Sequence, residues 1–277
     1  MPAVGLPFVK VHGLGNDFVL LDLRRGGAPL SKAAVVRVCD RRHGIGADGV
    51  LTLLPPSAGV DLDLLIQNAD GSVPEMCGNG LRCVVDFVTG GEPGHPVRVG
   101  TGAGPLEGRV EPDGRVRVTL GAARVVGDPV STSVDGVEVD GVAVDVGNPH
   151  LVLFLEAVWP ERSLVEIADR CGPRLERHPA FPERVNVGFA RRDRSGIELA
   201  VFERGAGRTE ACGTGAAAAA RAARHRGLDA EAIRVRLPGG TVEVVRSTSG
   251  DDAVELIGPA KQVFSGRIDD AALDVGP

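Results

Sequence analysis

What this 277-residue chain lacks excludes several classes of function. No run approaches the roughly 18 consecutive apolar residues of a membrane span. The opening Met1-Pro2-Ala3-Val4-Gly5-Leu6-Pro7-Phe8-Val9-Lys10 has no basic stretch followed by an apolar core, so a soluble, unexported, cytoplasmic protein is expected. A formal net charge of -6 and the want of any basic run interleaved with aromatics argue against nucleic acid or an anionic membrane as partner. The five cysteines, Cys39, Cys77, Cys83, Cys171 and Cys212, are odd in number and scattered, a poor disulfide framework. None makes a Cys-x-x-Cys or a His/Cys cluster of zinc spacing, so no metal is expected. Gly44, Gly46 and Gly49 precede a strand pattern where a dinucleotide fingerprint needs a helix, and Lys10, Lys32 and Lys261 lie outside the glycine turns, which disfavours a Schiff base.

What is present centres on Asn68 to Cys83. Cys77 is followed by Gly78-Asn79-Gly80 and then by Leu81, Val84, Val85 and Val88, the spacing of one helix face, which Thr89-Gly90-Gly91 stops. A thiol on the first turn of that helix sits beside backbone N–H groups with no intrahelical partner, so its thiolate is favoured. The same device recurs at Glu203 to Gly215, where a short apolar strand and a glycine-rich turn lead into Cys212-Gly213-Thr214-Gly215 and a second helix. Cys77 and Cys212 lie 135 positions apart, Asn68 and Glu203 each precede their cysteine by nine, and Gly15-Asn16 matches Gly147-Asn148 at an offset of 132. The chain reads as two divergent copies of one unit, in line with a prior of about two domains for this length.

The expected halves are residues 1–122, joined by the C-terminal segment 267–277, and residues 123–266, with a site in the cleft between them. Many short strands around one helix per half indicate an α+β fold, two pseudo-symmetric halves with a curved, mostly antiparallel sheet wrapped around each central helix. The alanines from 216 to 223 give the second helix a thin profile suited to such wrapping. Arg221, Arg224, His225 and Arg226 read as its solvated C-terminal end, with Gly227 beyond it. A helix from Glu161 to Arg170 is expected to close at Gly172-Pro173.

Two activated thiols could form a redox pair, bond covalently to substrate, or exchange protons across a substrate held between them. Nucleophilic catalysis would leave the duplication idle. Inverting a tetrahedral carbon takes hydrogen from one face and returns it to the other, which two like groups related by duplication can do. Gly78-Asn79 and Gly213-Thr214 could offer N–H groups to a carboxylate gaining enolate character. His150 and Glu203 are candidates for tuning the thiols.

The ordered motifs carry a further implication. Phe8 to Phe18, Gly44 to Gly49, Asn68 to Cys83, Gly147-Asn148-Pro149-His150, Asn186-Val187, Glu203 to Gly207, Ala211 to Gly215, Pro238-Gly239-Gly240 and Gly258-Pro259-Ala260 together resemble the diaminopimelate epimerase family of cofactor-independent, two-cysteine racemases and epimerases. The resemblance implies interconversion of LL- and meso-diaminopimelate without pyridoxal phosphate or other cofactor, on the route to lysine and peptidoglycan, in a homodimer. It implies Cys77 and Cys212 as catalytic residues and Asn16, Asn68, Gly78, Asn79, Asn148, Asn186, Glu203, Arg204, Gly213 and Thr214 around the substrate. Arg208 stands where that family usually has Glu, and Phe264 where some members carry Tyr at a dimer contact. Two rival readings are a racemase of this shell acting on another amino acid and a thiol redox switch using Cys77 and Cys212.

Overall fold

The structure, a computed structural model, describes residues 5–193, 196–248, 250 and 252–269. They fall into two units, one comprising the described residues through Val118 together with those from Pro259 on, the other Thr119–Gly258.

The first unit runs β1 (Leu6–Gly13), β2 (Asn16–Asp22), α1 (Lys32–Cys39), β3 (Gly49–Leu54), β4 (Leu62–Asn68), α2 (Gly78–Thr89), β5 (Val97–Thr101), β6 (Gly104–Val110) and the start of β7 (Val116–Ala122). β1 and β2 pair antiparallel across the two-residue loop Leu14-Gly15. Both loop residues have positive φ, 57° and 84°, as a hairpin loop matched to strand twist requires. Glycine takes that conformation freely, whereas Leu14 is held in it by burial of its side chain.

The second unit runs β8 (Arg124–Val125), β9 (Val130–Val134), β10 (Val137–Asp145), β11 (Pro149–Phe154), α3 (Leu164–Leu175), β12 (Asn186–Asp193), β13 (Gly196–Glu203), β14 (Gly207–Thr209), α4 (Gly213–His225), β15 (Ala232–Leu237), β16 (Gly240–Arg246) and β17 (Ala253–Gly258). The chain then returns to the first unit as β18 (Lys261–Ile268).

The fold is α+β, and strand pairing repeats rung for rung. In the first unit β2 runs parallel to β3, β3 antiparallel to β4, β4 parallel to β5 and β5 antiparallel to β6. In the second, β11 is parallel to β12, β12 antiparallel to β13, β13 parallel to β15 and β15 antiparallel to β16. Leu62 faces Val99 and Ile197 faces Val235, so equivalent partners are 135 and 136 positions apart. The duplication read from two cysteines extends through the sheet register.

Each unit packs strands around one helix. α2 lies against β1, β2, β3, β6 and β18; α4 lies against β8, β10 to β13 and β15 to β17. Ala216 to Ala220, Ala222 and Ala223 are all fully buried, so α4 presents no side chain longer than a methyl to most of its surroundings and strands can approach it from several sides. It ends in paired bonds from Gly227 N–H to the Arg224 carbonyl and from Leu228 N–H to the Ala223 carbonyl, with Gly227 at φ 90°.

Several expectations need correction. The end of α4 is only partly the solvated cluster expected: His225 and Arg226 are exposed, Arg226 donating to the Asp140 carbonyl, whereas half-buried Arg221 donates to the Ala123 carbonyl and half-buried Arg224 to those of Ala230, Glu231 and Val244. α3 begins at Leu164, capped by Ser163, and runs through Gly172-Pro173 to Leu175. Gly172 is there for contact, since a Cβ at that position would lie 2.4 Å from the Phe202 ring, and Glu176 N–H still reaches the Gly172 carbonyl at 2.8 Å. The unit boundaries fall at 118/119 and 258/259, rather than 122/123 and 266/267, because the whole of β18 pairs antiparallel with β1.

Candidate active site

Cys77 is the N-cap of α2, at φ -141° and ψ 110°, one step before the helical turn expected to carry it. Its Sγ accepts the Gly80 N–H at 3.4 Å, while its carbonyl accepts the Leu81 N–H at 2.8 Å. Cys212 caps α4 the same way, at φ -122° and ψ 112°, with Sγ accepting the Gly215 N–H at 3.3 Å and its carbonyl accepting the Ala216 N–H. Sulfur here replaces the usual side-chain oxygen of a cap and satisfies one orphan donor of each helix. The glycine three residues on is sterically required. A Cβ at Gly80 would meet Leu51 at 2.9 Å, and one at Gly215 would meet Val201 at 2.9 Å and Cys212 Sγ at 3.3 Å.

The two caps have different neighbours. Burial and the adjacent Glu203 carboxylate push the Cys212 thiol well above its ordinary pKa, against the lowering effect of hydrogen bonds from Thr214 and the Gly215 N–H. The expectation of a favoured thiolate therefore fails at Cys212: desolvation and a like charge outweigh a helix terminus, whose contribution is about 0.3 to 1 kcal/mol, or about 2 in partly buried geometries. The raised pKa favours the protonated thiol at Cys212. Glu203 is held by Thr209, whose hydroxyl donates to its Oε1.

Cys77 faces amides instead. Its thiol lies 3.9 Å from Asn16 Oδ1, which also accepts from Asn79 Nδ2 at 3.1 Å. Asn16 Nδ2 donates to Asp48 Oδ2 at 2.8 Å, and Asn79 Oδ1 accepts from Arg82 Nη2 at 2.9 Å. Asn16, Cys77, Asn79 and Arg82 thus form one network in the first unit. Asn68, at the end of β4, donates to Ser72 Oγ at 2.9 Å within its own turn.

In the second unit Asn186 ties two turns together, donating to the Pro149 carbonyl and accepting the Arg204 N–H, both at 2.9 Å. Arg204 reaches the Glu183 carbonyl and leaves its side chain exposed. Burial, with the Arg204 charge, pulls His150 down to about 3, so its ring is neutral and donates Nε2–H to Asn148 Oδ1 at 2.9 Å. That bond fixes Asn148. Gly78 and Gly213 are the first helical residues after each cap, and Thr214 Oγ1 lies 3.5 Å from Cys212 Sγ.

Sequence reasoning missed Thr209, Asp48, Glu176 and Arg82. Asp48 lies inside the glycine-rich turn before β3, and its place in that motif was the signal available; in the structure it accepts from the Asn16 amide and the Asp17 N–H. Glu176, 29 residues before Gly205, is buried and accepts the Gly205 N–H at 2.8 Å, a contact no local pattern announces. Chemically, the arrangement offers two capping thiols, one held protonated beside a carboxylate and one bonded into an amide network, suited to proton transfer at carbon. Among the described residues no group of three or more His, Cys, Asp or Glu has a metal-binding arrangement, and no helix is long and apolar enough to cross a membrane.

Comparison with known proteins agrees with this picture. The family model described as diaminopimelate epimerase matches residues 8–126 and 142–263. A diaminopimelate epimerase of Cyanothece sp. is 40% identical over 95% of this chain and 99% of its own length, and one of Stutzerimonas stutzeri is 40% identical over 95% and 99%. Among solved structures, a probable proline racemase from Agrobacterium radiobacter superposes with a TM-score of 0.70 at 20% identity, covering 97% of this chain and 95% of that one. A hydroxyproline epimerase from Agrobacterium vitis gives 0.70 at 19%, covering 96% and 93%; both show the fold.

Proposed function

The chain belongs to the diaminopimelate epimerase family, a family of isomerases, and we propose that it interconverts LL- and meso-2,6-diaminopimelate by two-base proton transfer between Cys77 and Cys212. One observation carries this reading: the two thiols cap repeat-equivalent helices, each with a glycine N–H on its sulfur. One thiol takes the α-proton from one face of the substrate carbon and the other returns a proton to the opposite face, so configuration inverts with no cofactor. Protonated Cys212 is the donor for one direction and Cys77 the acceptor; the reverse direction exchanges the roles.

An α-carbon is a far weaker acid than a thiol, and cap hydrogen bonds alone do not close that gap. The rest comes from donors aimed at the substrate carboxylate as it gains enolate character. We assign that role to the backbone around Gly78, Asn79, Gly213 and Thr214, and recognition of the distal amino-acid group to Asn16, Asn68, Asn148, Asn186, Glu203 and Arg204. His150 positions Asn148, and Glu203 keeps Cys212 protonated. The reading extends to a cytoplasmic homodimer in lysine and peptidoglycan synthesis, with the exposed Val263 and Phe264 of β18 as the apolar surface for pairing.

Incubation with diaminopimelate in heavy water tests the reading. Deuterium at the α-carbon with growth of the second isomer is expected. No exchange on diaminopimelate, with exchange on another amino acid, transfers the assignment to that substrate.

A further inference from the structure

The turns at the ends of β4 and β13 occupy the same place in the two repeats and are held in different ways. In Asn68-Ala69-Asp70-Gly71-Ser72 the Gly71 N–H reaches the Asn68 carbonyl at 2.8 Å, and in Glu203-Arg204-Gly205-Ala206-Gly207 the Ala206 N–H reaches the Glu203 carbonyl at 3.2 Å. The first turn is fastened by its own side chains. Asp70 Oδ1 accepts the Ser72 N–H at 2.8 Å and the Ser72 hydroxyl at 2.6 Å, and Asn68 Nδ2 donates to Ser72 Oγ at 2.9 Å. The residues equivalent to Asp70 and Ser72 are Gly205 and Gly207, which have no side chain to do this. Both have positive φ, 78° and 81°, and nothing lies within 4 Å of where a Cβ would be, so conformation and not space selects glycine. A turn with two glycines loses much backbone freedom on ordering, and something outside it must hold it.

The hold comes from the segment between α3 and β12. Glu176 is the C-cap of α3 and is buried, and its Oε1 accepts the Gly205 N–H at 2.8 Å. The adjacent Arg204 N–H goes to Asn186 Oδ1 at 2.9 Å, and Arg204 Nη1 donates to the Glu183 carbonyl at 3.3 Å. The Glu176 carbonyl accepts the Val185 N–H at 2.9 Å, which fixes the residue before Asn186. A carboxylate is not what the end of α3 favours: it puts an anion at the negative end of the helix dipole, and burial strips its hydration. Arg184 Nη1, 3.5 Å from Oε1, and Arg177 Nε, 4.0 Å from Oε2, offset this only in part, since both guanidiniums are exposed. The bond to Gly205 is the shortest that the carboxylate makes and has the length of a charge-assisted hydrogen bond.

We propose that Glu176 is a positioning residue for substrate capture: its buried carboxylate, by holding the Gly205 N–H, sets the backbone from which Arg204 is presented to a substrate carboxylate. The inference rests on the reading of Arg204 as a substrate-binding residue and names what orders it. The N–H groups of Arg204 and Gly205 end on Asn186 and Glu176, so both peptides flanking the Arg204 Cα are fixed while its guanidinium stays exposed. A substrate that meets a turn already ordered does not have to order it, which lowers the cost of binding. The first repeat needs no counterpart of Glu176, because Asp70 and Ser72 do the same work within their own turn.

The test combines amide-resolved hydrogen exchange with steady-state kinetics on diaminopimelate. In the unaltered protein the Gly205 amide should exchange at least about tenfold more slowly than an unstructured glycine amide. Glu176→Ala, which removes the acceptor, should speed Gly205 exchange about tenfold or more and raise KM about tenfold, with kcat changed by less than about threefold. Glu176→Gln keeps an acceptor oxygen in the same place and should restore most of both. A role confined to the stability of α3 would lower the melting temperature and leave KM unchanged. A Gly205 amide that exchanges at the unstructured rate in the unaltered protein overturns the proposal whether or not any variant folds. So does a folded Glu176→Ala with unchanged KM, or a Glu176→Gln as impaired as Glu176→Ala. Absence of α-deuterium exchange on diaminopimelate in the unaltered protein would sink the assigned reaction, and the Gly205 exchange rates would still decide whether Glu176 holds the turn.

Discussion

Asn68 and Glu203 hold the same rung of the two repeats: Asn68 faces Gly49, and Glu203 lies one step beyond the Val187–Phe202 pair, opposite Asn186. Duplication placed an amide and a carboxylate at equivalent points beside two thiols that are capped alike, and the carboxylate, after burial, raises the Cys212 thiol.

Replacing Glu203 by Gln should therefore lower the Cys212 titration. The carboxylate, after burial, is the second cause that raises this thiol, and removing a negative charge favours the thiolate. Expected outcomes are a downward shift in the Cys212 alkylation midpoint and a loss of activity in the direction that uses Cys212 as donor. A midpoint that stays put or rises contradicts the assigned role.

Stability at acid pH should depend on His150. Its folded pKa of about 3 lies below the ordinary 6.5, so its contribution is fully present above pH 6.5 and is lost as pH falls towards 3, where the unfolded chain takes up a proton that the folded one refuses. The amount is on the order of several kcal/mol. Urea midpoints measured from pH 7 to pH 4 should fall steeply in the unaltered protein and less steeply in His150→Gln. Parallel curves would show that His150 is not the group responsible.

Arg204→Ala and Asn186→Ala should separate binding from folding. Arg204 is exposed, so its loss should change stability by less than about 0.5 kcal/mol while kcat/KM on diaminopimelate drops by orders of magnitude. Asn186 is buried and holds the Pro149 carbonyl and the Arg204 N–H, so its loss should cost about 1 to 3 kcal/mol of stability as well. Equal stability losses in the two variants would rule out this division.

The cysteine caps were legible because their signal is local: Cys-Gly-x-Gly before an apolar or alanine-rich helix places sulfur, glycine and free N–H groups within four residues. The repeat was legible for the same reason, through fixed offsets. Arg82 was not. A charged residue on a helix is expected at the surface, and only the steric gap at Gly13 and the return of β18 with Pro259, 177 positions away, make it a core residue. α3 runs past Gly172-Pro173, where the glycine serves close packing against Phe202 and does not end the helix. β18 left the half in which sequence order placed it because its partner β1 lies at the other end of the chain.

Cys77→Ala and Cys212→Ala should each abolish epimerisation and leave far-ultraviolet dichroism unchanged, since each removes the acid or base on one face and only one capping bond of a helix. That bond is worth about 1 kcal/mol, too little to unfold the unit. Retention of more than a small fraction of the rate by either variant would falsify the pairing.

Isotope flow tests the two-base step most directly. A thiol carries a single proton, so the donor cysteine exchanges with solvent before turnover, while the acceptor cysteine holds the hydrogen taken from the substrate until that hydrogen returns or leaves. In heavy water, starting from one isomer and stopping at a few per cent conversion, deuterium should appear at the α-carbon of the new isomer well before it appears in recovered substrate. A single base serving both faces through several exchangeable protons would label both pools together. The asymmetry of the site adds a direction: Cys212 is protonated at rest beside Glu203, so the first turnover of the isomer whose product face meets Cys212 needs no prior proton exchange between the thiols. Glu203→Gln should slow that isomer more than the other while leaving the labelling order intact. Equal labelling of both pools in the unaltered protein would remove the two-base assignment even if epimerisation proceeds.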